Sequence, residues 1–407
     1  MKQKKSLVSA LFSATIVATG LMATPAQSAP ERAVIAHQYI VTLDPALLPA
    51  PLAKLGLNDL VDSTLVLVGG GKVLQRYGTA LTGFAAVLSP NQAEALAKLP
   101  FVKTVEADQQ MRAVATQTGA VWGIDRIDQR NLPLDGQYIY RDQAGAGVHV
   151  YVVDTGLNAS HSEFTGRVGT GRNFAPNSDG VLGLGLFGGS TDASNTTDCN
   201  GHGTHVSGTA VGTTYGVAKK ATIHSVRVLG CNGSGSNSNV IAGIDWVAAN
   251  AVKPAVANMS LGGGNSDTLD TAVKNAIAKG IAFAVAAGND SANACTGSPN
   301  KVPEAITVGA TDKTDTMASY SNYGSCVDLF APGSDVVSAN YANNTGSTTL
   351  SGTSMASPHV AGAVAILLGQ TPAATPAQLV ATLTGKASSG KLKSLGANSP
   401  NLLLYSD

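Results

Sequence analysis

The chain has 407 residues, of which 44% are hydrophobic and only 13% charged, with 26 basic and 26 acidic side chains and a formal net charge of +0. At roughly 150 residues per domain that length suggests two or three domains. The apolar content supports a buried core and excludes a disordered chain. No basic stripe marks a nucleic-acid surface. The balance is uneven along the chain: the first 112 residues carry 10 Lys+Arg against 7 Asp+Glu, and the remainder 16 against 19.

Lys2, Lys4 and Lys5 precede an apolar stretch from Leu7 to Met22, and Ala26-Gln27-Ser28 offers small residues for cleavage. This pattern predicts a secretory signal peptide over residues 1–28. No other segment approaches the ~20 apolar residues of a membrane span. The mature protein is therefore expected outside the cell, secreted and free of the membrane. Four cysteines, Cys199, Cys231, Cys295 and Cys326, agree with export. An even count suggests disulfides, with three possible pairings. Cys199, His202 and His205 also fall at metal-like spacing.

Residues 31–110 read as a small α+β unit. Strands are predicted over residues 39–43, 73–77, 83–88 and 102–107. Helices are predicted over 52–68 and 90–99, the second with Pro90 in its first turn. The order is a strand or so short of, but resembles, the split βαβ, ferredoxin-like plan. A unit of ~75 residues is marginal by surface-to-volume scaling. Residues 108–120, rich in Gln and Thr, read as an exposed linker.

Beyond the linker, apolar runs alternate with helical patterns. Strands are predicted over 148–153 (stopping at Asp154), 221–229, 255–259 (stopping at Ser260), 281–287 (stopping at Gly288-Asn289) and 306–309. Helices are predicted over 202–211, 240–250, 269–279 and 354–368. Such alternation predicts an α/β fold, a parallel central sheet with helices on both faces. Sheets of that kind bind ligands at the carboxyl ends of their strands.

Three segments carry chemistry: Val153-Asp154-Thr155-Gly156 at a strand end, Asn200-Gly201-His202-Gly203-Thr204-His205 opening a helix, and Gly352-Thr353-Ser354-Met355-Ala356 opening another. A serine hydroxyl needs a base to become a nucleophile, and the base needs a carboxylate to hold its tautomer. Alone, Asp154 reads as a strand-end cap, His202 as a helix-start hydrogen bonder and Ser354 as an N-cap. Together, and in this order, they resemble the signatures of the subtilisin-like serine proteases. The resemblance runs from about Ala115 to Tyr405. Asp154-Thr155-Gly156, the two cysteine pairs and Ser321-Asn322-Tyr323-Gly324 place it near the proteinase K subfamily, and the front unit resembles that family's inhibitor-type propeptide.

The resemblance implies a catalytic Asp154, His202 and Ser354, with the Asn289 side chain and the Ser354 N–H as oxyanion donors. It implies substrate held as a strand between Gly233-Ser234-Gly235 and Ser260-Leu261-Gly262. The specificity pocket would lie between the latter edge and Ala286-Ala287-Gly288. Its small, uncharged walls suggest broad specificity with a preference for hydrophobic or aromatic side chains. Cys199 would pair with Cys231 and Cys295 with Cys326, which displaces a metal on His202. His161, His205 and His359 read as structural. The domains would be a signal peptide (1–28), a propeptide (29–114) acting as intramolecular chaperone and inhibitor, and a peptidase domain (115–407). Self-cleavage is expected between Arg112 and Thr116, before Ala115, giving a monomer that acts on proteins and peptides. No cofactor is expected in catalysis, but structural calcium is. One calcium site would use Asp125, Asp128, Gln129 and Asp135, for which salt bridging with Arg126 and Arg130 is the alternative. The other would use Asp328 with the carbonyls of Pro303 and Ala305. The Gly-rich stretch 179–198 departs from the family. A peptide-binding pseudoenzyme and a narrow processing protease are the rivals, against which stand the intact triad and the lack of acidic residues in the pocket walls.

Overall fold

The computed structural model describes residues 34–109, 114–175 and 192–406. The expected signal peptide, Arg112 at the expected cleavage region and most of the Gly-rich stretch lie outside the described residues. The chain falls into two compact units, residues 1–112 and 113–407.

The first unit runs β1 (Val34–Leu43), α1 (Leu57–Val66), β2 (Lys72–Tyr77), β3 (Gly83–Val87), α2 (Pro90–Ala97) and β4 (Val102–Gln109). Its sheet order is β2-β3-β1-β4, antiparallel throughout. No further strand is needed, because the four predicted strands pair into one sheet and complete the βαββαβ order by themselves; β1 only begins five residues earlier than its apolar run. Val41, Phe84, Leu60, Val61 and Leu96 pack between sheet and helices. Ser89 and Gln92 form a reciprocal capping box around the start of α2, where Pro90 needs no N–H partner. The helix expected over 52–68 is interrupted: Leu52–Lys54 is a single 3₁₀ turn, and α1 begins after Gly56.

The second unit opens with β5 (Val114–Thr118), α3 (Trp122–Ile127) and β6 (Gln137–Arg141). β5 pairs antiparallel with β6, so residues 114–118 are not the exposed linker their composition suggests. A polar strand of this kind is defined by its partner, which lies about twenty residues on. The core follows: β7 (His149–Asp154), β8 (Arg172–Asn173), α4 (His202–Val211), β9 (Thr222–Arg227), α5 (Asn237–Asn250), β10 (Ala255–Met259), α6 (Asp267–Ala278), β11 (Ala282–Ala286), β12 (Ile306–Thr311), β13 (Leu329–Pro332), β14 (Val336–Ala339), β15 (Ser347–Leu350), α7 (Thr353–Gln370), α8 (Pro376–Lys386), β16 (Ser388–Ser389) and β17 (Leu402–Leu403).

Nine strands form one sheet in the order β16-β17-β13-β12-β11-β10-β7-β9-β8, parallel except for the β16–β17 pair. The apolar runs are explained by burial on both faces. In β7, Val150 and Val152 pack with α4 and α7, while Tyr151 and Val153 pack with α5 and α6 on the opposite face. The β7–β9 register sets Asp154 opposite Arg227 and β10 follows on the other side, so the ends of β7, β10 and β11 share one rim.

Candidate active site

Asp154 is the last residue of β7 and is fully buried. His202 is the first residue of α4, and its Nδ1 lies 2.8 Å from Asp154 Oδ1. Asp154 Oδ1 also accepts the Thr155 N–H at 2.7 Å. A carboxylate on Nδ1 fixes that nitrogen as the donor and leaves Nε2 as a base. Burial works against a charge on His202, but the charge and hydrogen bond of Asp154, aided by Asp198, outweigh it and hold the pKa above 6.5.

Ser354 is the second residue of α7, and its hydroxyl donates to the Ser260 carbonyl at 3.1 Å. Pro358 lies inside α7 and has no N–H, so the helix leaves the Ser354 carbonyl without its usual donor. The Ser260 hydroxyl supplies one at 2.7 Å. Asn258 holds that hydroxyl at 2.9 Å and is held in turn by Ser357 at 2.8 Å. The end of β10 is thereby fastened to the first turn of α7.

Asn289 Oδ1 accepts both the N–H and the hydroxyl of Thr353, each at 2.8 Å. The Thr353 Oγ1 also takes the Gly288 N–H at 3.1 Å. With its oxygen committed, the Asn289 amide keeps its NH₂ free to donate. Thr353, quoted in the serine segment but given no role by its motif, is the residue that orients Asn289. Gly288 has φ +102, and a Cβ there would meet Asn322 Nδ2 at 2.3 Å.

Asn289 and Ser354 line a cavity of about 520 Å³, together with Leu261, Gly262, Ala286 and Gly288. The cavity is less apolar than the wall segments suggest, since Asn300, Asn322, Thr296 and the exposed Asp290 also line it. The side chains of Asn300 and Asn322 both donate to the Ala287 carbonyl at 2.9 Å, which stiffens the wall. Ala287 itself is buried behind that wall. A neighbouring cavity of about 380 Å³ is lined by His202, Gly233, Ser234, Gly235, Ser260, Leu261 and Gly262, so the two edges face one space.

Both disulfides form, Cys199–Cys231 and Cys295–Cys326. Each closes a loop, of sequence separation 32 and 31, worth roughly 3–4 kcal/mol in the chain-entropy picture. Cys199 is therefore not a metal ligand. His205 and His359 are buried and bonded to the carbonyls of Val336 and Met355, and His161 is buried against the Gly346 carbonyl.

Among the described residues no group of three or more His, Cys, Asp or Glu is gathered to hold a metal ion. Asp125 accepts the N–H groups of Asp135 and Gly136, Asp128 that of Ile139, and Asp135 that of Gln137. The Gln129 amide donates to the carbonyls of Asn131 and Pro133. The alternative of salt bridging is not realised: Arg126 pairs with Asp315, and Arg130 lies over the Tyr405 ring. Burial, with the charges of Asp125 and Asp135, pushes Asp128 up to about 7. Burial pushes Asp328 up to about 6, and it accepts the Thr307 N–H. Pro303 is exposed and Ala305 buried beside that strand.

Residues 145–401 match the subtilase family, and residues 38–113 match the peptidase inhibitor I9 family. The chain belongs to the subtilase family and is a serine endopeptidase with an I9 propeptide unit ahead of it. It is 54% identical over 363 residues to the extracellular serine proteinase of Thermus sp. (strain Rt41A), covering 89% of this chain and 84% of the relative. It is 50% identical over 336 residues to alkaline serine exoprotease A of Vibrio alginolyticus, covering 81% of this chain and 59% of the relative. The crystal structure of a cold adapted subtilisin-like serine proteinase is similar at TM-score 0.66 and 51% identity, covering 71% of this chain and 99% of that one.

Proposed function

We propose that this chain is a secreted endopeptidase that hydrolyses proteins through Asp154, His202 and Ser354, with broad specificity and a preference for hydrophobic or aromatic side chains before the scissile bond. The 2.8 Å contact between His202 Nδ1 and Asp154 Oδ1 supports the reading most, because it leaves Nε2 as a base. In the reaction the Ser354 hydroxyl exchanges the Ser260 carbonyl for His202 Nε2, a tightening that substrate binding commonly brings. Oγ then bonds to the substrate carbonyl carbon while Nε2 takes its proton. The negative charge that develops on the carbonyl oxygen meets the Asn289 NH₂ and the Ser354 N–H at the start of α7. Collapse breaks the peptide bond, His202 protonates the leaving amine, and water hydrolyses the acyl-enzyme by the reverse proton path.

Substrate lies between Gly233-Ser234-Gly235 and Ser260-Leu261-Gly262, with one side chain in the larger cavity between Leu261-Gly262 and Ala286-Ala287-Gly288. The Thermus relative's description as extracellular supports export. The chain is divided into a signal peptide (1–28), a propeptide (29–114) that assists folding and inhibits, and a monomeric peptidase (115–407). The serine cuts its own chain before Ala115. Calcium, where bound, adds stability through Asp125, Asp128, Gln129 and Asp135 and through Asp328 with the Pro303 and Ala305 carbonyls. Expression of Ser354→Ala tests the reading. The unprocessed precursor should accumulate, whereas normal maturation of that variant expressed alone would overturn self-processing.

A further inference from the structure

Asp198 lies four residues before His202 and is 5% exposed. Its Oδ1 accepts the Thr155 hydroxyl at 2.9 Å and the N–H groups of Asn200 and Gly201 at 3.0 and 2.9 Å. Its Oδ2 accepts the Thr204 N–H at 2.9 Å and the Thr204 hydroxyl at 2.6 Å. Burial opposes its charge, but the donors of Thr204, Gly201 and Asn200 prevail and hold the carboxyl below its usual range. It is therefore an ionised carboxylate satisfied by neutral donors.

These donors come from two elements. Thr155 follows Asp154 at the end of β7, and its own N–H binds Asp154 Oδ1 at 2.7 Å. The Thr155 Oγ1 also accepts the Gly203 N–H at 2.9 Å. A Cβ on Gly203 would meet the Gly156 carbonyl at 2.3 Å, so α4 begins in close contact with this strand end. Asn200, Gly201 and Thr204 flank His202 on the other side. A carboxylate is an ordinary cap for a helix start, and Asp198 serves α4 in that way through Thr204. A cap alone does not account for its other link, through the Thr155 hydroxyl to the strand end that carries Asp154.

Resting on the proposed triad, we propose that Asp198 is a positioning residue for His202: it locks the imidazole against Asp154 and sets a second negative charge beside the imidazolium formed during acyl transfer. Among the described residues, the ionisable groups whose charges act most on His202 are Asp154 from β7, Asp198 from the segment before α4, and His205 from its own helix. Arg227 from β9 directs its guanidinium to Cys199 Sγ at 3.2 Å. His205 is kept neutral by burial, its pKa pushed down to about 4. Asp154 and Asp198 are thus the two charges that hold His202 basic.

The test is the pH profile of kcat/KM for mature wild type, Asp198→Asn, Asp198→Glu and Thr155→Val on a small peptide anilide. Asp198→Asn should lower kcat about tenfold and move the acid limb down by roughly 0.5–1.5 pH units, the order expected on removing one partly screened charge. Asp198→Glu should keep the limb at the wild-type pH. An unmoved limb in Asp198→Asn, whatever its loss of stability, would reduce Asp198 to a helix cap and overturn the proposal. If Asp198→Asn does not fold, Thr155→Val breaks the link without altering charge. A several-fold fall in kcat at constant KM and an unmoved limb support the proposal, and unchanged kcat overturns it. Wild type labelled at Ser354 by a fluorophosphonate separates a failure here from a failure of the triad, which would leave wild type unlabelled.

Discussion

Thr353 shows how one residue can prepare a site without reacting in it. Its hydroxyl and N–H hold the Asn289 carbonyl oxygen, which fixes the direction of the NH₂ proposed to meet the developing oxyanion. Asn289→Ala should lower kcat by about 10²–10³-fold and leave KM nearly unchanged, because the charge it meets exists only in the transition state. Steady-state kinetics on a peptide anilide decides this: a raised KM with intact kcat would make Asn289 a ground-state binder. Asp154, His202, Ser354 and Asn289 could be singled out in the sequence because each stands as a polar residue near a strand or helix end, and their catalytic roles remain the proposal. Thr353, Thr155 and Asp198 could not be singled out. Their side chains are common hydrogen-bonding groups, and only their spatial partners distinguish them from turn residues.

The strands that flank the site were legible as elements because both faces are buried, which leaves apolar runs ending abruptly at polar residues. Helices α4 to α7 were read to within a few residues. The β14–β15 hairpin and β5 were not, since they are short or polar and gain their register from a distant partner. The segment from α3 to β6 shows a further limit. Its acidic residues suggested calcium, yet their oxygens already accept backbone N–H groups and they do not form a metal-holding cluster among the described residues. If calcium binds there or at Asp328, it binds only the folded state and raises stability by RT ln(1 + [L]/Kd), about 2.7 kcal/mol at a hundredfold excess. Thermal inactivation of the mature enzyme should then be faster in EDTA than in excess calcium. Equal half-lives and no calcium in metal analysis would remove both sites.

At the scale of the whole molecule, two buried histidines tie the fold to pH. Burial pushes His205 and His359 down to about 4, while an unfolded histidine titrates near 6.5. Below 6.5 the unfolded chain binds protons that the folded one refuses. Their contribution to stability is therefore complete above pH 6.5 and is lost as pH falls towards 4, on the order of 1 kcal/mol per pH unit for each. Asp128 and Asp328, whose folded carboxyls titrate high, take up protons over the same range and offset a comparable amount, so the effect of the two rings is read with both carboxyls removed. Equilibrium unfolding of the mature Asp128→Asn, Asp328→Asn enzyme, blocked at Ser354 by a fluorophosphonate so that it cannot digest itself, should show stability declining between pH 6.5 and 4. A flat profile would mean the two rings do not stay neutral. The central claim is that Asp154 and His202 activate Ser354 as a nucleophile, and it is most directly tested by treating the mature enzyme with a fluorophosphonate and locating the adduct by peptide mass spectrometry. The expected result is one phosphonyl group on Ser354, lost on heat denaturation before labelling. An unlabelled enzyme, or label on another residue, would contradict it.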